Sequence, residues 1–128
     1  MKWVIVACIP FLVLIGCKTT EEALMETGKN PLTSTQIKKV FSGNTVAGTA
    51  NASGHAYQIK FDTDGSATLS SGSFTDSGKW WVEGKDTYCV QWTTANNGAK
   101  RCLRLYDLGD KYESINSDGY ANATFTVK

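Results

Sequence analysis

From Asn44 to the C-terminus, apolar and polar residues alternate in short stretches broken by turn residues about every ten positions. The alternation is clearest in Tyr57-Gln58-Ile59-Lys60-Phe61 and in the run from Tyr120 to Val127. The pattern predicts strands near 44–50, 55–62, 66–72, 77–84, 86–94, 99–106, 110–116 and 120–127. Their connections, among them Asp62-Thr63-Asp64-Gly65, Glu83-Gly84-Lys85-Asp86, Gly109-Asp110 and Asp118-Gly119, are short and rich in residues that tolerate positive φ. The expected fold class is therefore mainly β, an antiparallel up-and-down meander of about eight strands. It closes as a small lipocalin-like barrel or stays a strongly curved sheet, with a two-sheet β-sandwich as the alternative.

One convincing helix precedes the strands. Thr33 suits an N-cap, Gln36 completes a capping box, and Leu32 with Ile37 forms a hydrophobic staple. Ile37, Val40 and Phe41 share one face, and Gly43 stops the helix. Such a helix serves as a plug over an apolar sheet edge or barrel end. The stretch from Lys18 to Pro31 is polar and lacks a sustained apolar stripe, so it reads as a solvated tether in which Glu21 to Glu26 make a helical turn or two at most.

The N-terminus has the organisation of an export signal. Met1-Lys2 is a positive n-region, and the apolar run from Trp3 to Ile15 is too short for a stable membrane span. Leu14-Ile15-Gly16-Cys17 resembles the lipobox of bacterial lipoproteins. The resemblance implies cleavage before Cys17, diacylglyceryl and amine-linked fatty-acyl (palmitate-type) chains on that residue, and firm anchoring in one leaflet. Cys8 lies in a competing box with too short an apolar run before it and departs with the signal. The expected division is a signal peptide over residues 1–16, a lipidated tether over 17–31 and a β-domain with its helix over 32–128. Lys18, where an aspartate would retain a lipoprotein at the inner membrane, points to the outer membrane facing the periplasm.

Charge narrows the partners. Removing Lys2 from the 13 basic side chains leaves 12 against 12 acidic ones, so the mature chain is neutral and has no basic field to hold nucleic acid. An exported domain of this size gains from a covalent staple. Cys89 and Cys102 supply it. Tyr88 to Trp92 and Cys102 to Tyr106 alternate as strands, with Asn96-Asn97-Gly98 as turn residues between them. If the cysteines face each other, Tyr88 opposes Leu103, Val90 opposes Arg101 and Trp92 opposes Ala99. That register gathers the apolar side chains on one face and leaves Gln91, Lys100, Arg104 and the disulfide on the other. Closing a loop of this length stabilises the fold by about 3 kcal/mol in the chain-entropy model.

A family resemblance rests on Leu32-Thr33, Ile37, Phe41-Ser42-Gly43-Asn44-Thr45, Asp64-Gly65, Ser77-Gly78-Lys79-Trp80, Tyr88-Cys89-Val90-Gln91-Trp92, Cys102 and Tyr112. These resemble a family of small exported alphaproteobacterial proteins of unknown function, in which a short helix precedes a Gly-x-Trp … Cys-x-x-Trp … Cys meander. The resemblance bears on the fold and implies no chemistry.

Catalytic and metal motifs are sparse. His55 is the only histidine and sits at a turn, so a metal centre or a histidine-based triad lacks its other members. Asp62-Thr63-Asp64-Gly65 resembles the start of a calcium loop, but the remaining ligands are missing and a hairpin turn accounts for it. No nucleophile elbow, HExxH or phosphate-binding glycine loop occurs. No catalytic residue, metal site or cofactor is expected. Adjacent Trp80 and Trp81 must face opposite ways on a strand, Trp80 inward with Val82 and Trp81 outward with Glu83. Trp81 and Tyr106 are the candidate ligand or partner contacts. Three functions remain: a noncatalytic binding or interaction module that meets an envelope protein, a lipocalin-like carrier of a small hydrophobic ligand, and a hydrolytic enzyme. The carrier needs small inward side chains around a void, and the enzyme needs two close carboxylates in a cleft.

Overall fold

The computed structural model describes residues 18–128. The expected signal segment, Cys8 and Cys17, the expected lipidation site, lie outside the described residues. Two helices, α1 (Thr20–Glu26) and α2 (Ser34–Phe41), precede eight strands: β1 (Thr45–Ala50), β2 (Ala56–Phe61), β3 (Ser66–Ser71), β4 (Phe74–Glu83), β5 (Thr87–Trp92), β6 (Lys100–Asp107), β7 (Tyr112–Ile115) and β8 (Ala121–Val127).

Each strand pairs antiparallel with the next, and β8 returns to β1, so the meander closes as an up-and-down barrel. Closure leaves no open edge among the described strands. Gly48 makes the last seam possible: it lies opposite Phe125, and a Cβ there would overlap the Thr124 carbonyl oxygen and lie 2.6 Å from the Phe125 Cβ. The β5–β6 register is the one that the disulfide implies. Tyr88 faces Leu103, Cys89 faces Cys102, Val90 faces Arg101, and the two sulfurs are bonded. The connection between these strands is built on Asn96 and Asn97, both at positive φ, followed by Gly98.

An up-and-down barrel sorts its connections onto two ends. Turns 62–65, 84–86 and 108–111 share one end, which α2 plugs. Thr33 and Gln36 form the capping box, with the Gln36 N–H donating to Thr33 Oγ1 over 3.2 Å and the Thr33 N–H donating to Gln36 Oε1 over 2.9 Å. The Ser34 hydroxyl donates to the Gly84 carbonyl over 2.8 Å and pins the helix to the β4–β5 turn. Ile37 and Phe41 are buried, and the Phe41 ring enters the barrel, 4.2 Å from Phe61 and 4.9 Å from Tyr88 between centroids. Trp80 closes this cluster from β4 and donates its indole N–H to the Asp62 carbonyl over 3.0 Å.

The segment read as a solvated tether is instead folded onto the outer wall. Thr19 and Glu22 form a second capping box at the start of α1. Glu21 then docks on β6: Arg104 donates two hydrogen bonds of 2.6 Å to its carboxylate and the Tyr106 hydroxyl donates a third of 2.7 Å. The Glu21 N–H also donates to the Gly119 carbonyl over 2.9 Å. Since α1 buries none of its residues, the docking is polar, and hydrophobic periodicity carried no signal for it.

Candidate functional site

Inward side chains divide the barrel into a filled half and a hollow half. Next to α2 the large rings of Phe41, Phe61, Trp80, Tyr88 and Phe125 occupy the axis. Toward the opposite end, inner positions hold small residues: Ala50 on β1, Ser71 on β3, Ser114 on β7 and Ala123 on β8. Volume that aromatics fill below is left empty above. The result is a cavity of about 340 Å³, walled by Tyr57, Ile59, Leu69, Val90, Trp92 and Leu103, floored by Phe41, and rimmed by Ala52, Ser53, His55 and Asn96.

The polar side chains that line this space, besides the tyrosines, are Ser53, His55, Ser71, Asn96, Arg101, Ser114 and Asn122. Arg101, on the inner face of β6 opposite Val90, donates from Nη2 to the Asn122 side-chain oxygen over 2.8 Å. No carboxylate lies within ion-pairing distance of it among the described residues. The cavity lining contains no aspartate or glutamate either. Burial pushes the Tyr57 phenol up to about 12 and moves the Tyr88 phenol upward as well, so both rings stay neutral at physiological pH. The Arg101 guanidinium is thus set in a mostly apolar wall.

The residues singled out in the sequence fall elsewhere. Trp81 is on the outer face of β4, opposite Cys89, with its N–H donating to Glu83 over 2.7 Å and the Lys100 ammonium 5.7 Å from its ring centroid. It does not line the cavity. Tyr106 is corrected from a candidate contact to a covered residue: it points outward on β6 but is fully buried under α1, held by Glu21. Its hydroxyl is raised by burial and then by the adjoining carboxylate. His55 is exposed at the cavity rim. Asp64 accepts from the Ser66 N–H over 2.9 Å and from its hydroxyl over 2.7 Å, bonds that serve the turn and hold the carboxyl below its ordinary range. Glu83 lies close to Cys89 and Cys102, but the sulfurs of that group are bonded to each other.

No family model, curated protein or solved structure matches the chain.

The site therefore rests on its own geometry, and its central residue, Arg101, was not singled out in the sequence. A signal for it existed. The cysteine register places Arg101 opposite Val90 on the apolar face, and a charged side chain at an inward position either finds a partner or marks a site. Tyr57 and Asn122 carried no comparable signal, because an aromatic on an alternating strand and an asparagine near a turn are ordinary.

Proposed function

We propose that this chain is a noncatalytic, lipid-anchored binding protein of the cell envelope whose barrel holds a small apolar ligand bearing an acidic group. The observation that carries the reading is the mostly apolar cavity of about 340 Å³ with Arg101 in its wall and no carboxylate among its described lining residues. Pockets of roughly 300 to 1,000 Å³ with a few placed polar groups are typical of small-molecule sites. A cavity of this volume, open at its mouth, has room for a ligand on the scale of a medium-chain fatty acid. An arginine offers a carboxylate two parallel hydrogen bonds, and in a low-dielectric wall these are stronger than in water.

This favours the carrier over a module that acts only through its outer surface, since the condition set for the carrier, small inward residues around a void, is met by Ala50, Ser71, Ser114 and Ala123. Cys17 supplies the anchor in this reading, placing the domain in the envelope, with the outer membrane as its expected home.

Native mass spectrometry of residues 18–128 isolated from periplasmic extract tests the proposal. The expected spectrum shows a co-purifying small acid that exchanges for added decanoate. A domain that is ligand-free and takes up no decanoate contradicts it.

A further inference from the structure

The N-terminal segment and the cavity mouth lie at the same end of the barrel. Connections 51–55, 72–73, 93–99 and 116–120 share the end opposite α2, and Ala52, Ser53, His55 and Asn96 of this set rim the cavity. Gly119 belongs to the last of these connections, and Thr19 packs on it so closely that a Cβ on Gly119 would lie 3.1 Å from Thr19 Oγ1. Gly119 itself is at φ 92, where a side chain would be strained. The Glu21 contacts to Gly119, Arg104 and Tyr106 fix this start of the chain in place. Cys17 is two residues before Thr19, a reach of at most about 7 Å.

The two ends differ in surface chemistry. Connections at the mouth carry one formal charge, Asp118, in addition to His55, and the Asp76 carboxylate reaches them from β4 by accepting from the Thr94 and Ala95 N–H groups. Those at the plugged end carry Asp62, Asp64, Lys85, Asp86, Asp110 and Lys111, and α2 adds Lys38 and Lys39. The mouth end also exposes Phe74 by 43% and Tyr120 by 50% at the edges of two connections. Of the other exposed large apolar residues, Met25 is on α1 and Val127 ends β8 at the plugged end. A rim with few charges and two exposed aromatics suits the interfacial layer of a bilayer, where tyrosine and other rings settle.

We infer that the open end of the barrel rests on the bilayer that holds the Cys17 lipid, with Phe74 and Tyr120 in the interface, so that the cavity exchanges its ligand with that membrane. The inference rests on the lipidation of Cys17 and on the carrier reading. It narrows the ligand to an acidic amphiphile that partitions into lipid. A short, docked N-terminal segment keeps the mouth down, whereas a long free tether would let the barrel tumble.

The test uses the mature lipidated protein in vesicles of phosphatidylethanolamine and phosphatidylglycerol whose acyl chains are brominated. Phe74→Trp, Tyr120→Trp and, at the plugged end, Lys85→Trp each add one indole to the same background. The expected result is that the emission added by Phe74→Trp and by Tyr120→Trp is quenched at least twofold more strongly than that added by Lys85→Trp. Equal quenching at the two ends, stronger quenching at Lys85→Trp, or a membrane-extracted protein whose mass shows no lipid on Cys17 overturns the orientation. Failure of the carrier reading shows separately, as a domain of residues 18–128 that takes up no decanoate.

Discussion

Glu21 and Arg104 show how one side chain converts a polar segment into part of the structure. The Arg104 hydrogen bonds hold the Glu21 carboxyl below its ordinary value, against the opposing effect of burial, and the Tyr106 hydroxyl adds to the lowering. A carboxyl depressed by folding contributes stability above its unfolded value near 4.5, and the contribution fades as pH falls through the folded value. Acid therefore weakens the docking of α1. Glu21→Gln is expected to cost about 2 kcal/mol at neutral pH, in the range for hydrogen bonds to charged groups, and to remove this part of the acid dependence. Urea unfolding at pH 7 and pH 3 checks it; a variant that loses as much stability on acidification as the parent contradicts the assignment. None of this was legible in the sequence, because a glutamate in a polar run gives no sign of an arginine 83 positions away.

Local signals served the elements well where they were strong. Thr33, Gln36, Ile37 and Gly43 each carry one piece of the α2 boundary, and the helix forms between them. Strand positions followed from alternation, with the largest departure at β4, which begins at Phe74 where 77 was expected. Its early part, Phe74-Thr75-Asp76-Ser77, has no clean alternation, and pairing with β3 decides it. The assignment of α2 as a plug also makes a prediction. Phe41 bridges the helix and the aromatic floor, so Phe41→Ala removes the floor of the cavity and is expected to lower stability by about 3 to 5 kcal/mol. A thermal melt measures the loss; a change below about 1 kcal/mol contradicts the packing described.

At the scale of the barrel, the two ends differ: one is plugged and richer in charge, the other hollow and poorer in it. Part of this was legible. Once the meander is accepted, alternate connections share an end, so the charge contrast between the two sets is already in the sequence. The void was not, because the strands alternate equally well whether the inner residues meet across the axis or stop short of it. Ala50, Ser71 and Ala123 acquire meaning only when they are found lining one cavity.

In the proposed carrier, Arg101 is the group that would hold the acid. Calorimetric titration of residues 18–128 and of Arg101→Gln with decanoate and with decanol tests it most directly. The prediction is that the parent binds decanoate more tightly than decanol, and that Arg101→Gln weakens decanoate at least tenfold, about 1.4 kcal/mol, with decanol unchanged. Decanoate binding that is equal in the two proteins, or absent from both, contradicts it.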